Sequence, residues 1–250
     1  MWHRPQLLNT LADLLFAAGA AMLMAALAIW VLRMPFAPIR EVVLEAPLQH
    51  VHPTELEEAL QGRVRGNFLS LSLDGVRDAL EALPWVRKAM VRRVWPDRLV
   101  VSLEEHQPVA RWGDTGGEWV NSFGETFAAS LPDGAGLELP TLKGPSGTAP
   151  LLLKRYGETL ELLAPLQLKP VAVSLSSRLA LGLKLDNGMR LELGREQSRS
   201  PASLRLQRFV DIYPAAVAGR EPRPATVDLR YPNGFALYPA GTLPEHRGRE

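Results

Sequence analysis

The sequence predicts an α+β protein with a single N-terminal transmembrane helix, a small β-α-α-β-β module and then a mixed β-sheet domain with flanking helices. Three observations support this prediction. One uncharged apolar run is long enough to cross a membrane. Helical and strand periodicities alternate after it. The 21 prolines and 20 glycines among 250 residues favour many turns and short strands over a helical bundle.

The apolar run covers residues 14–32 and contains no charged side chain. At about 1.5 Å per residue it extends roughly 28 Å, which is close to the thickness of a hydrocarbon core. Trp30 lies near its far end, where an indole suits the membrane interface. We therefore predict a transmembrane helix over residues 14–34.

Two other interpretations of this run stay open. Ala26-Leu27-Ala28 resembles the cleavage site of a signal peptide, and a buried core helix would also be apolar. The orientation is not settled by charge, because Arg4 and the N-terminal amine on one side are balanced by Arg33 and Arg40 on the other.

The small module is expected over residues 37–106. It begins with a strand at 39–44 and continues with a helix from Pro53 to about Leu60, for which Thr54 is the expected cap. Asp74 is the expected cap of a second helix. Two strands then form a hairpin, with residues 86–95 and 98–105 flanking a turn at Pro96-Asp97.

The larger β domain is expected over residues 107–241, followed by a disordered tail at 242–250. Turn signals separate its short apolar stretches, and helical patterns cover residues 151–163 and 200–213. Ser200 is the expected cap of the second of these helices, with Pro201 at its first helical position.

Two hairpins in this domain have a predictable register. A three-residue loop at Asp186-Asn187-Gly188 pairs Leu185 with Met189 and Leu183 with Leu191, so that all the leucines share one face. Gly188 supplies the positive φ that such a loop needs.

The second hairpin turns at Pro232-Asn233-Gly234, and the same reasoning pairs Tyr231 with Phe235 and Leu229 with Leu237. Its last strand has nothing after it in the chain, so we expect it to lie at a sheet edge with unpaired backbone groups.

No catalytic or metal-binding signature emerges from the sequence. There is no cysteine, which excludes disulfides, thiol nucleophiles and cysteine-based metal sites. His50 and His52 are two ligands without a third and are interpreted as solvated turn residues. Glu104 and Glu105 are adjacent in a strand and point to opposite faces. Neither cofactor nor metal is expected.

A basic cluster accompanies two tryptophans in the predicted hairpin. It favours a solvated sheet face over a nucleic-acid patch, because the net charge of the chain is only +1. Contact with anionic lipid or an acidic partner lies between these two interpretations. The residues are Trp85, Arg87, Lys88, Arg92, Arg93, Trp95 and Arg98.

Several segments, in order along nearly the whole chain, resemble the FtsQ/DivIB family, especially its proteobacterial FtsQ branch. In the first module and across its boundary with the β domain they are 83–88 (LPWVRK), 91–99 (VRRVWPDRL) and 105–112 (EHQPVARW). In the β domain they are 191–195 (LELGR), 208–214 (RFVDIYP) and 227–234 (VDLRYPNG).

The resemblance implies a short cytoplasmic tail at residues 1–13, one inner-membrane helix of type II orientation, and a POTRA module and β domain in the periplasm. It implies a non-enzymatic scaffold of the division machinery at the septum, which links early and late division proteins and binds FtsB and FtsL. It implies no nucleic acid and no small-molecule substrate. By position, the FtsB-type edge strand comprises Arg230, Tyr231, Asn233, Gly234, Phe235, Ala236, Leu237 and Tyr238.

One departure concerns the end of that strand, where family relatives carry a tryptophan and this chain has Tyr238 followed by Pro239. Proline has no backbone N–H, so strand pairing should stop there. Tyr231→Ala or Leu237→Lys is expected to weaken partner binding and leave the fold nearly intact. The alternative from another class is a membrane-anchored periplasmic cell-wall enzyme, which needs a clustered acid, base or nucleophile.

Overall fold

The computed structural model describes residues 5–33, 39–45, 47–64, 68, 71–114, 116–130, 138–231 and 234–239. The chain divides into two compact units, Met1–Glu105 and His106–Glu250. The predicted disordered tail at 242–250 lies outside the described residues.

The N-terminal helix, α1, spans Pro5–Arg33 and begins earlier than predicted, since proline is well tolerated in the first turn. Its stretch Asn9–Trp30 has a mean hydropathy of 2.0, and none of it is buried within the protein. That exposure contradicts the alternative of a buried core helix. By length and composition, α1 is a single helix able to cross a membrane.

The first unit has the predicted β-α-α-β-β order. The strands form a three-stranded sheet in the order β1-β3-β2, with β1 parallel and β2 antiparallel to β3. The elements are β1 (Glu41–Leu44), α2 (Pro53–Leu60), α3 (Leu73–Glu81), β2 (Val86–Val94) and β3 (Arg98–Glu105).

Both predicted caps in this unit are wrong by two residues. The cap of α3 is Ser72, whose hydroxyl accepts the N–H of Gly75 at 3.1 Å, and Asp74 lies in the first turn. The cap position of α2 is His52 and not Thr54, because Pro53 takes the first helical position.

His50 is also not the solvated turn residue that was predicted. Its ring stacks on Trp85 with centroids 4.1 Å apart, and its Nδ1 lies 3.5 Å from the carboxylate of Glu105. That carboxylate accepts the backbone N–H groups of Gln49, His50 and Val51. The loop before α2 is therefore held to the end of β3 by a single side chain.

The second unit contains a nine-stranded mixed sheet in the order β12-β11-β10-β9-β8-β7-β4-β5-β6. Its first five elements are β4 (Pro108–Trp112), β5 (Glu118–Asn121), β6 (Thr126–Ala128), β7 (Thr141–Lys143) and α4 (Ala149–Leu163). A short 3-10 turn at Ala164–Leu166 follows. The remaining elements are β8 (Pro170–Leu175), β9 (Ala180–Leu185), β10 (Arg190–Arg195), α5 (Ala202–Ala216), β11 (Thr226–Asp228) and β12 (Ala236–Tyr238).

Helices α4 and α5 pack with the sheet into one apolar core, which the leucines of β9 and β10 dominate. The predicted register of the first hairpin is confirmed. Leu183 pairs with Leu191, Leu185 donates its N–H to the carbonyl of Met189 at 2.8 Å, and Gly188 has a φ of 84°.

The start of α5 differs from the prediction. Pro201 and not Ser200 occupies the cap position, and the carboxylate of Glu196 accepts the N–H of Ala202 at 3.0 Å. Arg205, of which only 2% is exposed, donates to the carbonyls of Ser200 and Arg195 at 2.7 Å each. Burial lowers the pKa of Arg205, although the nearby Glu196 opposes that effect.

Candidate partner-binding edge

Strand β12 lies at one end of the nine-stranded sheet, as predicted from its position in the chain. It pairs antiparallel with β11, and the pairs are Thr226 with Tyr238, Val227 with Leu237 and Asp228 with Ala236. Within the described residues, no strand lies against the other side of β12. This side therefore offers backbone groups to a further strand.

The predicted register of this second hairpin is wrong by two residues, since Leu237 pairs with Val227 and not with Leu229. The reason is Asp228, whose carboxylate accepts the backbone N–H of Arg230 at 3.0 Å and so takes it away from the strand ladder. On the opposite side of this strand, Leu229 donates its N–H to the carbonyl of Glu192 in β10 at 2.9 Å. A shift of two keeps each side chain on its predicted face.

Asp228 holds the side chain of Arg230 beside this edge. The carboxylate is 3% exposed, and the guanidinium reaches it through Nε at 2.8 Å and Nη2 at 2.5 Å. Hydrogen bonding to Asp228 is the main cause that raises the pKa of Arg230, although partial burial opposes it. A bidentate pair of this kind fixes the orientation of the guanidinium as well as neutralising the carboxylate.

Gly194 makes room for that arginine. A β-bulge interrupts the pairing of β10 with β9 between Glu192 and Gly194. Gly194 has a φ of +75°, and a Cβ built there would lie 2.8 Å from Cγ of Arg230. The aliphatic part of Arg230 therefore rests directly on the backbone of the bulge.

Two tyrosines share this polar side of the edge. Tyr231 is 50% exposed and Tyr238 is half-buried. Desolvation and the neighbouring phenol of Tyr231, together with Asp228, raise the pKa of Tyr238 although Arg230 opposes the rise. Arg230, Tyr231 and Tyr238 thus form one cluster around the buried carboxylate.

The other predicted residues divide into three groups. Phe235 and Leu237 are half-buried and pack against the apolar core, so Leu237→Lys would also destabilise the fold, contrary to the expectation above. Gly234 and Ala236 are half-buried. Asn233 lies outside the described residues.

Sequence reasoning missed Asp228, Gly194 and Arg205. Asp228 is a short acidic residue between apolar strand residues, two positions before an arginine. That pattern could have indicated a local hydrogen bond between the two side chains. Gly194 and Arg205 gave no comparable signal, because their contacts come from other strands and turns.

Two family models cover most of the chain. The FtsQ-type POTRA domain matches residues 37–106, and the C-terminal domain of the cell division protein FtsQ/DivIB matches residues 110–230. The Burkholderia pseudomallei protein named cell division protein FtsQ is 38% identical over 96% of this chain and 95% of its own length. The chain belongs to the FtsQ/DivIB family.

Other FtsQ proteins agree over similar lengths. The FtsQ of Bordetella pertussis is 38% identical, over 98% of this chain and 96% of that protein. The FtsQ of Neisseria gonorrhoeae is 32% identical, over the full length of both chains. This chain is accordingly a cell division protein with a POTRA domain. Strand β12 lies beyond the residues that the FtsQ/DivIB model matches.

Proposed function

We propose that this FtsQ/DivIB member is a non-catalytic scaffold of the division machinery that links early and late division proteins at the septum. It binds FtsB and FtsL in the periplasm, and its docking site is the edge formed by Arg230–Tyr238. Family membership supports the role, and the single structural observation that supports the site is the unpaired side of β12.

The proposed binding mode is strand addition. The partner extends the nine-stranded sheet through main-chain hydrogen bonds to β12, and side chains beside the strand confer selectivity. Tyr231 is the best candidate anchor, since half of it is exposed and tyrosines are enriched among residues that dominate binding energy. Asp228 positions Arg230 for contact with the same partner. Pro239 has no N–H and marks the end of the pairing.

The apolar helix defines the proposed arrangement of the chain in the cell. Residues 1–13 are cytoplasmic, 14–34 cross the inner membrane, and the domains at 37–106 and 107–241 lie in the periplasm. The helix is long enough for one span, because the 22 residues Asn9–Trp30 extend about 33 Å.

The test measures the affinity of the detergent-solubilised full chain for the periplasmic segment of FtsB from the same bacterium. Tyr231→Ala is expected to weaken binding at least ten-fold, because it removes a large exposed anchor at the edge. The control is Leu179→Ala, which truncates a similarly exposed side chain at the β8–β9 turn.

Three outcomes bear on the proposal. A selective loss in Tyr231→Ala supports both the role and the site. Equal loss in both variants, or none, moves the site away from this edge. Release of fragments from peptidoglycan by the purified chain would favour a cell-wall enzyme instead.

A further inference from the structure

The tip of the β2–β3 hairpin presents an unusually exposed indole. Trp95 is 81% exposed, more than any other large apolar side chain described outside α1. Indoles of this kind carry a large apolar surface and a polar N–H, and they favour the boundary between water and lipid. The protein itself offers Trp95 little cover.

The chain enters the POTRA sheet at this same tip. Arg40 donates its backbone N–H to the carbonyl of Asp97 at 2.9 Å, and the first residue of β1, Glu41, pairs with the first residue of β3, Arg98. Because β1 runs parallel to β3, the sheet begins where the hairpin turns. Arg40, at which the chain enters the sheet after α1, therefore contacts the turn that carries Trp95.

The connection from α1 to this point is short. Arg33, the last residue of α1, and Arg40 are seven residues apart. An extended chain advances at most about 3.6 Å per residue, so their Cα atoms lie within about 25 Å of each other. If α1 spans the membrane, Arg40 and the turn that it contacts lie no more than about 25 Å from the end of the membrane helix.

We propose that the hairpin tip docks on the lipid surface from which α1 emerges, with the indole of Trp95 inserted at the interface. This inference rests on the membrane span in the proposed function. The POTRA module would then be held at a defined height and tilt by two attachments, the helix and the tip. A lipid surface is favoured over a protein because the short connection to α1 keeps the tip within reach of that surface.

The charges beside the tip indicate which interaction attracts it to lipid. Three exposed arginines lie on or next to the strands that lead to the tip, and each faces an acidic side chain. Arg40 lies 3.9 Å from Asp97, Arg98 lies 3.6 Å from Glu41, and Arg92 lies 2.5 Å from Glu45. These pairs cancel, and Arg93, two residues before Trp95, donates to the carbonyl of Leu71, so about one positive charge remains beside the tip. Docking therefore depends mainly on the indole, and anionic lipid should strengthen it only slightly.

The experiment reconstitutes the full chain into vesicles with and without brominated phosphatidylcholine, whose bromines quench nearby tryptophans. The sequence contains six tryptophans. Trp95→Phe should remove about one third of the quenchable emission if Trp2, Trp30 and Trp95 contribute equally. Trp85→Phe is the control, because Trp85 is 8% exposed and lies at the other end of β2 in the same module, so it should remove little. The measurement is repeated with phosphatidylglycerol added.

The outcomes separate this inference from the membrane span. Loss of quenchable emission in Trp95→Phe but not in Trp85→Phe supports docking of the tip. Quenchable emission that Trp95→Phe leaves unchanged, while Trp30→Phe reduces it, overturns the docking and retains the span. If Trp30→Phe also changes nothing, the span itself fails. A Trp95→Ser variant that blocks cell division although Trp95 is not quenched would indicate a protein contact and overturn the lipid assignment.

Discussion

Glu105→Gln should destabilise the POTRA module in a manner that depends on pH. The carboxylate is 12% exposed and accepts three backbone N–H groups, from Gln49, His50 and Val51, at 2.9, 3.0 and 2.9 Å. Burial by itself would raise the pKa of Glu105, but the hydrogen bonds from Val51, His50 and Gln49 outweigh it, and the net pKa is lowered.

The magnitude follows from those three contacts. A hydrogen bond to a charged group contributes about 1 kcal/mol more than a neutral one, which sums to about 3 kcal/mol. The amide oxygen of glutamine still accepts part of this set, so we expect a loss of about 2 kcal/mol in the free energy of unfolding at pH 7.

The sign of the pH dependence follows from the direction of the shift. A lowered folded pKa stabilises the wild type above the unfolded pKa of about 4.3, and this stabilisation is lost as the pH falls through the folded pKa. Glutamine does not titrate. The difference between wild type and Glu105→Gln should therefore be full at pH 7 and much smaller at pH 3.

The assay is equilibrium urea unfolding of the detergent-solubilised chain, followed by tryptophan fluorescence at both pH values. Glu104→Gln is the control, because Glu104 pairs with Arg87 at 3.1 Å on the exposed side of the same strand and should contribute less than about 0.5 kcal/mol. The reasoning is refuted if the two variants are equally stable at pH 7, or if the deficit of Glu105→Gln is the same at pH 3.

Three further predictions concern the β domain. Arg205→Met should lower the free energy of unfolding by about 3 kcal/mol, because it leaves two carbonyls unpaired, whereas Arg199→Met at an exposed position should change it little in the same urea assay. Gly194→Ala should lower the free energy of unfolding more than Gly188→Ala does. Both glycines have positive φ, but only the first substitution places a Cβ against Arg230. The difference of about 1 kcal/mol is measurable by thermal unfolding. Asp228→Asn should weaken FtsB binding several-fold by releasing Arg230, and unchanged affinity would remove Arg230 from the proposed site.

Local patterns were sufficient for most of the secondary structure. The alternation of leucines around Asn187-Gly188 predicted both the hairpin and its register, because a one-residue slip would move every leucine to the polar face. The helical pattern over residues 200–213 predicted α5 in the same way, and the helix buries Leu206, Phe209 and Val210. Helix caps were less reliable, since several polar residues close to each helix start compete for one position.

The sequence by itself determined the class of protein: an apolar helix, a β-α-α-β-β module, a β domain and a last strand at an edge. Only the tertiary structure decided how that edge is built. Asp228 diverts the N–H of Arg230 and shifts the hairpin by two residues, and the bulge at Gly194 on another strand receives the arginine. Likewise Glu105 binds backbone groups more than 50 residues away. Periodicity reports only neighbours along the chain, whereas these contacts depend on which strands the fold brings side by side.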